Sequence, residues 1–399
     1  MRRLYTLFIM ASLSLASAIA QNGTGIVGDD YYRVHNYATG RYIYVTDNKD
    51  YYDITHDRED FQAIQLWKDA SKTISNPATV IYIKKVGSKY DLQAQGTGIH
   101  QLTHTDDFDG YYVTIEKKSD GTYEVYAQRA NVTKYLTDDR TSSDRPQGQL
   151  GTSGKATARR WVVDKIDVNH ATNYFGITPT IELNGKYYQP FYAVFPFRTA
   201  SPDMHVYYIN QVTGSDAIMK EISGDVPGET PVIIECSSTD PSNNRIELLS
   251  PNTAKITDNK LVGVYFCNGD RPAESVDAYT EFNASTMRVL TVSGGKLTFS
   301  NNAPDRLKEI EAVDWTTEDD ITVTCIPANT CYLKADAGTP AVLNACLEGS
   351  GIDEILAERK DNNAEGVYTI SGTQLRTTND VQGLPAGLYI VGGVKFVIK

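Results

Sequence analysis

The chain has 399 residues, 26 of them tyrosine against 11 phenylalanine, and a formal net charge of −12. That acidity, without any basic stripe, makes the chain a poor candidate for phosphate backbones or anionic lipid and sets nucleic-acid binding aside. No stretch beyond residue 20 is apolar for the roughly 20 residues a transmembrane helix needs, so no transmembrane segment is predicted.

The N-terminus combines Met1-Arg2-Arg3, an apolar run from Leu4 to Ala18 and the small-x-small exit Ala18-Ile19-Ala20. Those are the parts of a cleavable secretory signal, predicted over residues 1–20. Its loss removes Arg2 and Arg3, leaving 36 basic against 50 acidic residues and a formal charge of −14. Gly23-Thr24-Gly25-Ile26-Val27-Gly28 spells G-x-G-x-x-G, but a dinucleotide fold needs a strand before it and a helix after it. Here Asp29-Asp30 and two tyrosines follow, so the segment reads as a linker.

Residues 30–168 contain an internal repeat. Three segments place a basic residue before tyrosine, at Arg41-Tyr42, Lys89-Tyr90 and Lys134-Tyr135, spaced 48 and 45 positions apart. Each follows a candidate strand: Tyr32-Arg33-Val34-His35, Val80-Ile81-Tyr82-Ile83 and Tyr123-Glu124-Val125-Tyr126. Trp67 and Trp161 keep the same beat, 94 positions apart, with the apolar Tyr112-Val113-Thr114-Ile115 at the midpoint. Three units near 46 residues, each with room for about four strands, resemble a β-trefoil. The trailing tryptophan is similar to the core Trp of ricin-type trefoil lectins. Their Gln-x-Trp signature occurs once, as Gln65-Leu66-Trp67, and Trp161 has Arg159 in the glutamine position.

Residues 170–348 are predicted to form a β-sandwich of jelly-roll type. Its element Val226-Pro227-Gly228-Glu229-Thr230-Pro231-Val232-Ile233-Ile234 recurs 100 positions on as Ile326-Pro327-Ala328-Asn329-Thr330-Cys331-Tyr332-Leu333-Lys334, a turn launching a buried strand. All five cysteines, at 236, 267, 325, 331 and 346, lie in this region. The odd number forbids complete internal pairing. A local Cys325–Cys331 disulfide and buried free thiols are both open, the latter favoured by the apolar setting of Cys267.

A linker is predicted over 349–365 and a small β tail over 366–399. Gly383-Leu384-Pro385-Ala386-Gly387-Leu388-Tyr389-Ile390-Val391, closed by Lys395-Phe396-Val397-Ile398-Lys399, resembles the end of a type IX C-terminal sorting domain. The arrangement as a whole resembles surface proteins of Gram-negative bacteria that use type IX secretion, which implies an exported address, secreted or held on the outer cell surface. The expected class is therefore all-β: a β-trefoil, a β-sandwich and a C-terminal β element.

No nucleophile elbow, P-loop or zinc motif is present, and the histidines are scattered. The acidic loops at 47–60 and 106–110 lack the EF-hand pattern and read as solvated. No cofactor, metal or catalytic residue is predicted. A sugar offers C–H faces that stack on aromatic rings and hydroxyls that need fixed polar partners. The candidate glycan-binding residues are Tyr42, Tyr44, Asp47 and Asn48 in the first repeat, Tyr90, Asp91 and Gln93 in the second, and Tyr135, Asp138 and Asp139 in the third. The leading expectation is a non-enzymatic protein that binds extracellular glycan or glycoprotein. The alternatives are a secreted hydrolase of polysaccharide or glycoprotein, which needs paired carboxylates, and a protein-binding adhesin.

Overall fold

The computed structural model describes residues 26–45, 64–67, 73–96, 112–129, 131–138, 149–151, 156–252, 254–265, 267, 279–314, 317, 319–348, 366–370, 372–391 and 394–398. The signal-like segment 1–20, the acidic loops at 47–60 and 106–110 and the linker 349–365 lie outside them. The protein is all-β, and no described helix is long and apolar enough to cross a membrane.

The first sheet holds β1 (Asp30–Asn36), β2 (Tyr42–Val45), β3 (Ile64–Trp67), β4 (Ile81–Val86), β5 (Lys89–Ala94), β6 (Thr114–Lys117), β7 (Tyr123–Arg129), β8 (Val132–Thr137), β9 (Gln149–Gly151) and β10 (Trp161–Lys165). Each repeat supplies a hairpin, β1–β2, β4–β5 or β7–β8; β3 and β9 then pair with the second strands β2 and β8, and the returning strands β6 and β10 pair with β7. The last returning strand pairs with β1, and β1 also pairs with β4, so the three units join around one core in trefoil fashion. Alternation along the strands selects that core. Tyr32 and Val34 of β1 meet Ile81 and Ile83 of β4, Tyr123 and Val125 of β7, and Ile43, Leu92 and Leu136 of the second strands. Trp161 lies fully buried among them, its indole N–H donating to the Leu136 carbonyl at 2.9 Å. An indole in a core needs such an acceptor, since an unpaired buried N–H is costly.

The second region begins with β11 (Phe175–Gly176), β12 (Ile181–Leu183), β13 (Lys186–Phe191), β14 (Phe197–Thr199), β15 (His205–Thr213), β16 (Asp216–Glu221), β17 (Val232–Cys236) and β18 (Arg245–Leu248). It continues with β19 (Leu261–Val264), β20 (Thr280–Glu281), β21 (Met287–Ser293), β22 (Lys296–Ser300), β23 (Lys308–Asp314), β24 (Asp319–Ile326), β25 (Thr330–Lys334) and β26 (Val342–Leu347). Ten of these strands form one continuous path, β12-β13-β17-β15-β16-β26-β22-β21-β25-β19. The path folds over so that β12 and β13 at one end touch β21 and β25 near the other. The two layers of the sandwich thus face each other across a core to which all ten strands contribute. Every pairing along the path is antiparallel except β16–β26, which is parallel.

β17 is an unbroken apolar run apart from Glu235 and is buried along its whole length. Such a run marks a strand covered on both faces. Ile233 points into the sandwich core, whereas Val232, Ile234 and Cys236 point into a second core on the other side. That second core is filled by the small sheet β11-β18-β14, by Phe191, Phe195 and Phe197, and by Tyr31, Val80, Tyr82 and Ile166 of the first region. The two regions therefore share apolar contact. Arg33 of β1 adds a polar clasp, only 2% exposed, donating to Asn173 Oδ1 at 2.7 Å and to the carbonyls of Tyr174 and Ile74 at 2.8 and 3.2 Å.

The 100-residue recurrence is structural. Glu229 and Asn329 occupy the same place in their turns, and both have left-handed backbone, at φ 58° and 56°. Each precedes a strand, β17 or β25, of the same path. The described cysteines form no disulfide, and Cys325 and Cys331 fall in different cores. The tail forms its own sheet, β28-β27-β29-β30, from β27 (Val367–Thr369), β28 (Gln374–Arg376), β29 (Gly387–Val391) and β30 (Val394–Ile398). Its Leu-Pro-x-Gly-Leu-Tyr element turns into β29, with the Tyr389 hydroxyl donating to the Pro385 carbonyl at 2.9 Å.

Candidate functional site

The hairpins of the first sheet place one cross-strand pair at equivalent positions in each repeat. His35 stands directly across from Tyr42, Lys84 from Asp91 and Tyr126 from Tyr135. The next residue of each second strand is Ile43, Leu92 or Leu136, all in the core. Because side chains alternate between faces, the three pairs lie on the outer wall of the sheet.

In the third repeat the rings of Tyr126 and Tyr135 lie 5.4 Å apart, tilted by 48°, and both are half-buried. The Arg159 guanidinium sits 4.2 Å from the centre of the Tyr135 ring, within cation–π reach. Burial, and then the nearby Glu116 carboxylate, push the Tyr126 hydroxyl above the usual phenol range. In the first repeat His35 and Tyr42 are also half-buried, their rings 4.8 Å apart. Burial lowers the imidazole's proton affinity, opposed by Asp164, and the same burial with Asp164 raises that of Tyr42. The neutral imidazole and neutral phenol thus present aromatic surface rather than charge.

The second repeat differs. Tyr90 shares a face with Leu92, packs against the core and donates its hydroxyl to the Ile26 carbonyl at 2.7 Å. The outward position belongs to Asp91, which is 3% exposed. Gln93 donates to its Oδ2 at 2.7 Å, and its Oδ1 has no partner. Burial raises the Asp91 carboxyl above the usual carboxylate range. Gln93 is itself buried, as is Gln95, whose Oε1 accepts from the Val194 amide at 3.0 Å across to the second region.

Asp138 is likewise built into the framework. Its carboxylate is fully buried and accepts from both arms of the Arg41 guanidinium and from the Thr39 hydroxyl. This joins the first repeat's hairpin to the end of β8. Tyr44 pairs through its backbone with Gln65, and its side chain is outside the described residues, as are Asp47, Asn48 and Asp139. Of the sequence candidates, Tyr42 and Tyr135 therefore present partly open rings on the outer wall. Asp91, Gln93 and Asp138 are buried, and Tyr90 turns inward. His35, Tyr126, Glu116 and Arg159 join the wall although the sequence reading did not single them out. For His35 and Tyr126 the signal is the strand register, in which the residue directly across from the marker tyrosine shares its face.

A concavity of about 380 Å³ opens where the two regions meet. Its lining includes Asp29, Asp30, Lys165, Asp167, Glu247 and Ser250, with Lys165 paired to Asp30.

No family model and no curated protein matches the chain. Among solved structures, Cry35Ab1 is similar at 13% identity over 44% of this chain and 47% of that one, with a TM-score of 0.26. A mosquitocidal holotoxin is similar at 10% identity over 79% of this chain and 35% of that one, with a TM-score of 0.29. The chain thus spans about half and about a third of the lengths of these structures.

Proposed function

We propose that the protein is a non-enzymatic binding protein that recognises extracellular glycan through the outer wall of its first sheet. The observation that carries this reading is the pair of half-open aromatic surfaces, Tyr126–Tyr135 and His35–Tyr42, at equivalent positions of two repeats. A pyranose ring lays its C–H face on such a surface, while Glu116 beside the first pair supplies an acceptor for its hydroxyls. Two equivalent weak sites on one rigid wall would reinforce each other on a multivalent glycan. The signal-like residues 1–20 and the sorting-like tail support an exported address, secreted or attached to the outer cell surface.

The test is a glycan array probed with the full chain, because the shared core argues against isolating the first region. Tyr135→Ala and Tyr42→Ala are each expected to weaken binding about tenfold or more, the loss of one stacking surface. Absence of binding to any glycan would overturn the reading. Deleting 366–399 and following where the protein goes tests the address; unchanged surface location would remove the tail from it.

A further inference from the structure

We propose that Cys267 and Cys325 form a disulfide when the chain folds under oxidising conditions, so that the five cysteines resolve into one cross-link and three single thiols.

Cys325 lies in β24, fully buried, across from Glu281 of β20 on one side and Lys308 of β23 on the other. Cys267 follows β19 and is buried in the same small apolar cluster, together with Ile310 and Val323. Within that cluster each thiol acts on the proton affinity of the other, and the Cys325 S–H points to the Val323 carbonyl at 3.8 Å. The remaining cysteines are distributed elsewhere. Cys331 belongs to the sandwich core and gives its S–H to the Val232 carbonyl at 3.4 Å. Cys236 belongs to the core shared with the first region, and Cys346 lies on β26. Cys325 and Cys331, six positions apart, belong to separate cores, whereas Cys325 and Cys267, 58 positions apart, share one.

The cluster also shows why a cross-link matters there. Among the described residues, the cluster that packs on the sheet β20-β24-β23 holds four buried residues, two of them these cysteines. A core that small supplies little burial energy, the situation in which exported domains rely on covalent staples. The bond would tie β24 to the segment leaving β19.

The chemistry balances by thiol–disulfide exchange. One cysteine thiolate attacks an external disulfide, such as oxidised glutathione, and releases one external thiol. The second cysteine then displaces the other external thiol from the mixed disulfide, so two protein thiols are oxidised and one external disulfide is reduced. Burial pushes the Cys325 thiol up to about 12 and raises Cys267 as well, so thiolate is scarce in the folded protein. Exchange therefore belongs to folding, before the cluster closes.

The export reading supplies the compartment, but the pairing is tested without it. The full chain is unfolded, reduced, and refolded either in a mixture of reduced and oxidised glutathione or in reductant alone. Thiols are then titrated under denaturing conditions and cross-linked peptides are mapped by mass spectrometry. The oxidised sample is expected to show three thiols and a single cross-link joining the peptides of Cys267 and Cys325. Its thermal midpoint should exceed the reduced one by roughly 5–10 °C, the consequence of closing a long loop. Cys236→Ser should keep the cross-link and leave two thiols, and Cys325→Ser should abolish it and leave four. Five thiols in the oxidised wild type, or a cross-link between any other pair, would overturn the proposal whether or not the serine variants fold. Thiol count is indifferent to glycan binding, so its failure and that of the functional reading are separable.

Discussion

The outer wall of the first sheet and the central strand of the second use similar side chains for opposite ends. On the wall, Tyr42, Tyr126 and Tyr135 project from strands whose other face already fills a core, so the rings hold nothing together that the core does not. On β17, both faces are covered, and each aliphatic residue is committed to one core or the other. The difference teaches where this protein can change without unfolding. A face left half-open beside a complete core is free to acquire chemistry, whereas a strand covered on both sides is fixed by packing alone.

The contrast can be broken by substitution, beginning where the effect is largest. Ile233→Ala should destabilise by about 3–4 kcal/mol, because the vacated volume lies in a close-packed core that collapses only in part. Urea unfolding measures this, and a loss below about 1 kcal/mol would mean β17 is not the fixed element described. Asp138→Ala should cost about 2–3 kcal/mol, since it removes the fully buried carboxylate to which both arms of Arg41 and the Thr39 hydroxyl donate. The same unfolding assay reads it, with Arg41→Ala in a double-mutant cycle to show that the two losses are not additive.

Asp91→Asn should act in the other direction, stabilising by about 1 kcal/mol at pH 7. Burial raises the folded-state proton affinity of this carboxyl above its unfolded value, so the native state holds the proton more tightly than the unfolded chain. Its contribution is then fully favourable below the unfolded value near 3.9 and is lost as pH rises through the raised folded value. The asparagine variant should accordingly gain its advantage only above that range and show none near pH 3. A constant difference across pH would refute the assignment. The smallest effect on stability, under about 1 kcal/mol, is expected for Tyr135→Ala, which should nonetheless cost most of the glycan affinity. A loss of binding accompanied by a comparable loss of stability would erase the distinction between wall and core.

The sequence made the all-β class and the threefold beat legible because tryptophan and the basic-tyrosine pairs recur at nearly constant spacing. It also exposed the turn at Glu229 and its recurrence at Asn329, since proline and a short turn before an apolar run have one common use. What misled was register. Core positions 43, 92 and 136 repeat at intervals of 49 and 44, not the 48 and 45 of the markers, so Lys89-Tyr90 comes one residue early. A slip of one in a strand exchanges its faces, which turned Tyr90 inward and put Asp91 in the outward place. Asp138 misled differently: an acidic residue after a strand reads as solvated until its partner, Arg41, arrives from 97 residues away. The thiol cluster was hidden for the same reason, being a product of tertiary contact and not of spacing.

The one parallel pairing in the sandwich has a temporal consequence. β26 is the last strand of its region to leave the ribosome, yet it sits in the middle of the ten-strand path, between β16 and β22. Until residue 347 is available, β12, β13, β17, β15 and β16 can assemble as one half and β22, β21, β25 and β19 as another, with no strand to join β16 to β22. The final strand works as a keystone: it pairs with β16 on one side, where Asn344 donates to Asp216 at 2.9 Å, and with β22 on the other. A sheet completed by its last segment folds slowly, because the closing contacts span more than 100 residues. A nascent chain of this protein therefore leaves the β16 edge unpaired from residue 221 until residue 347 has emerged.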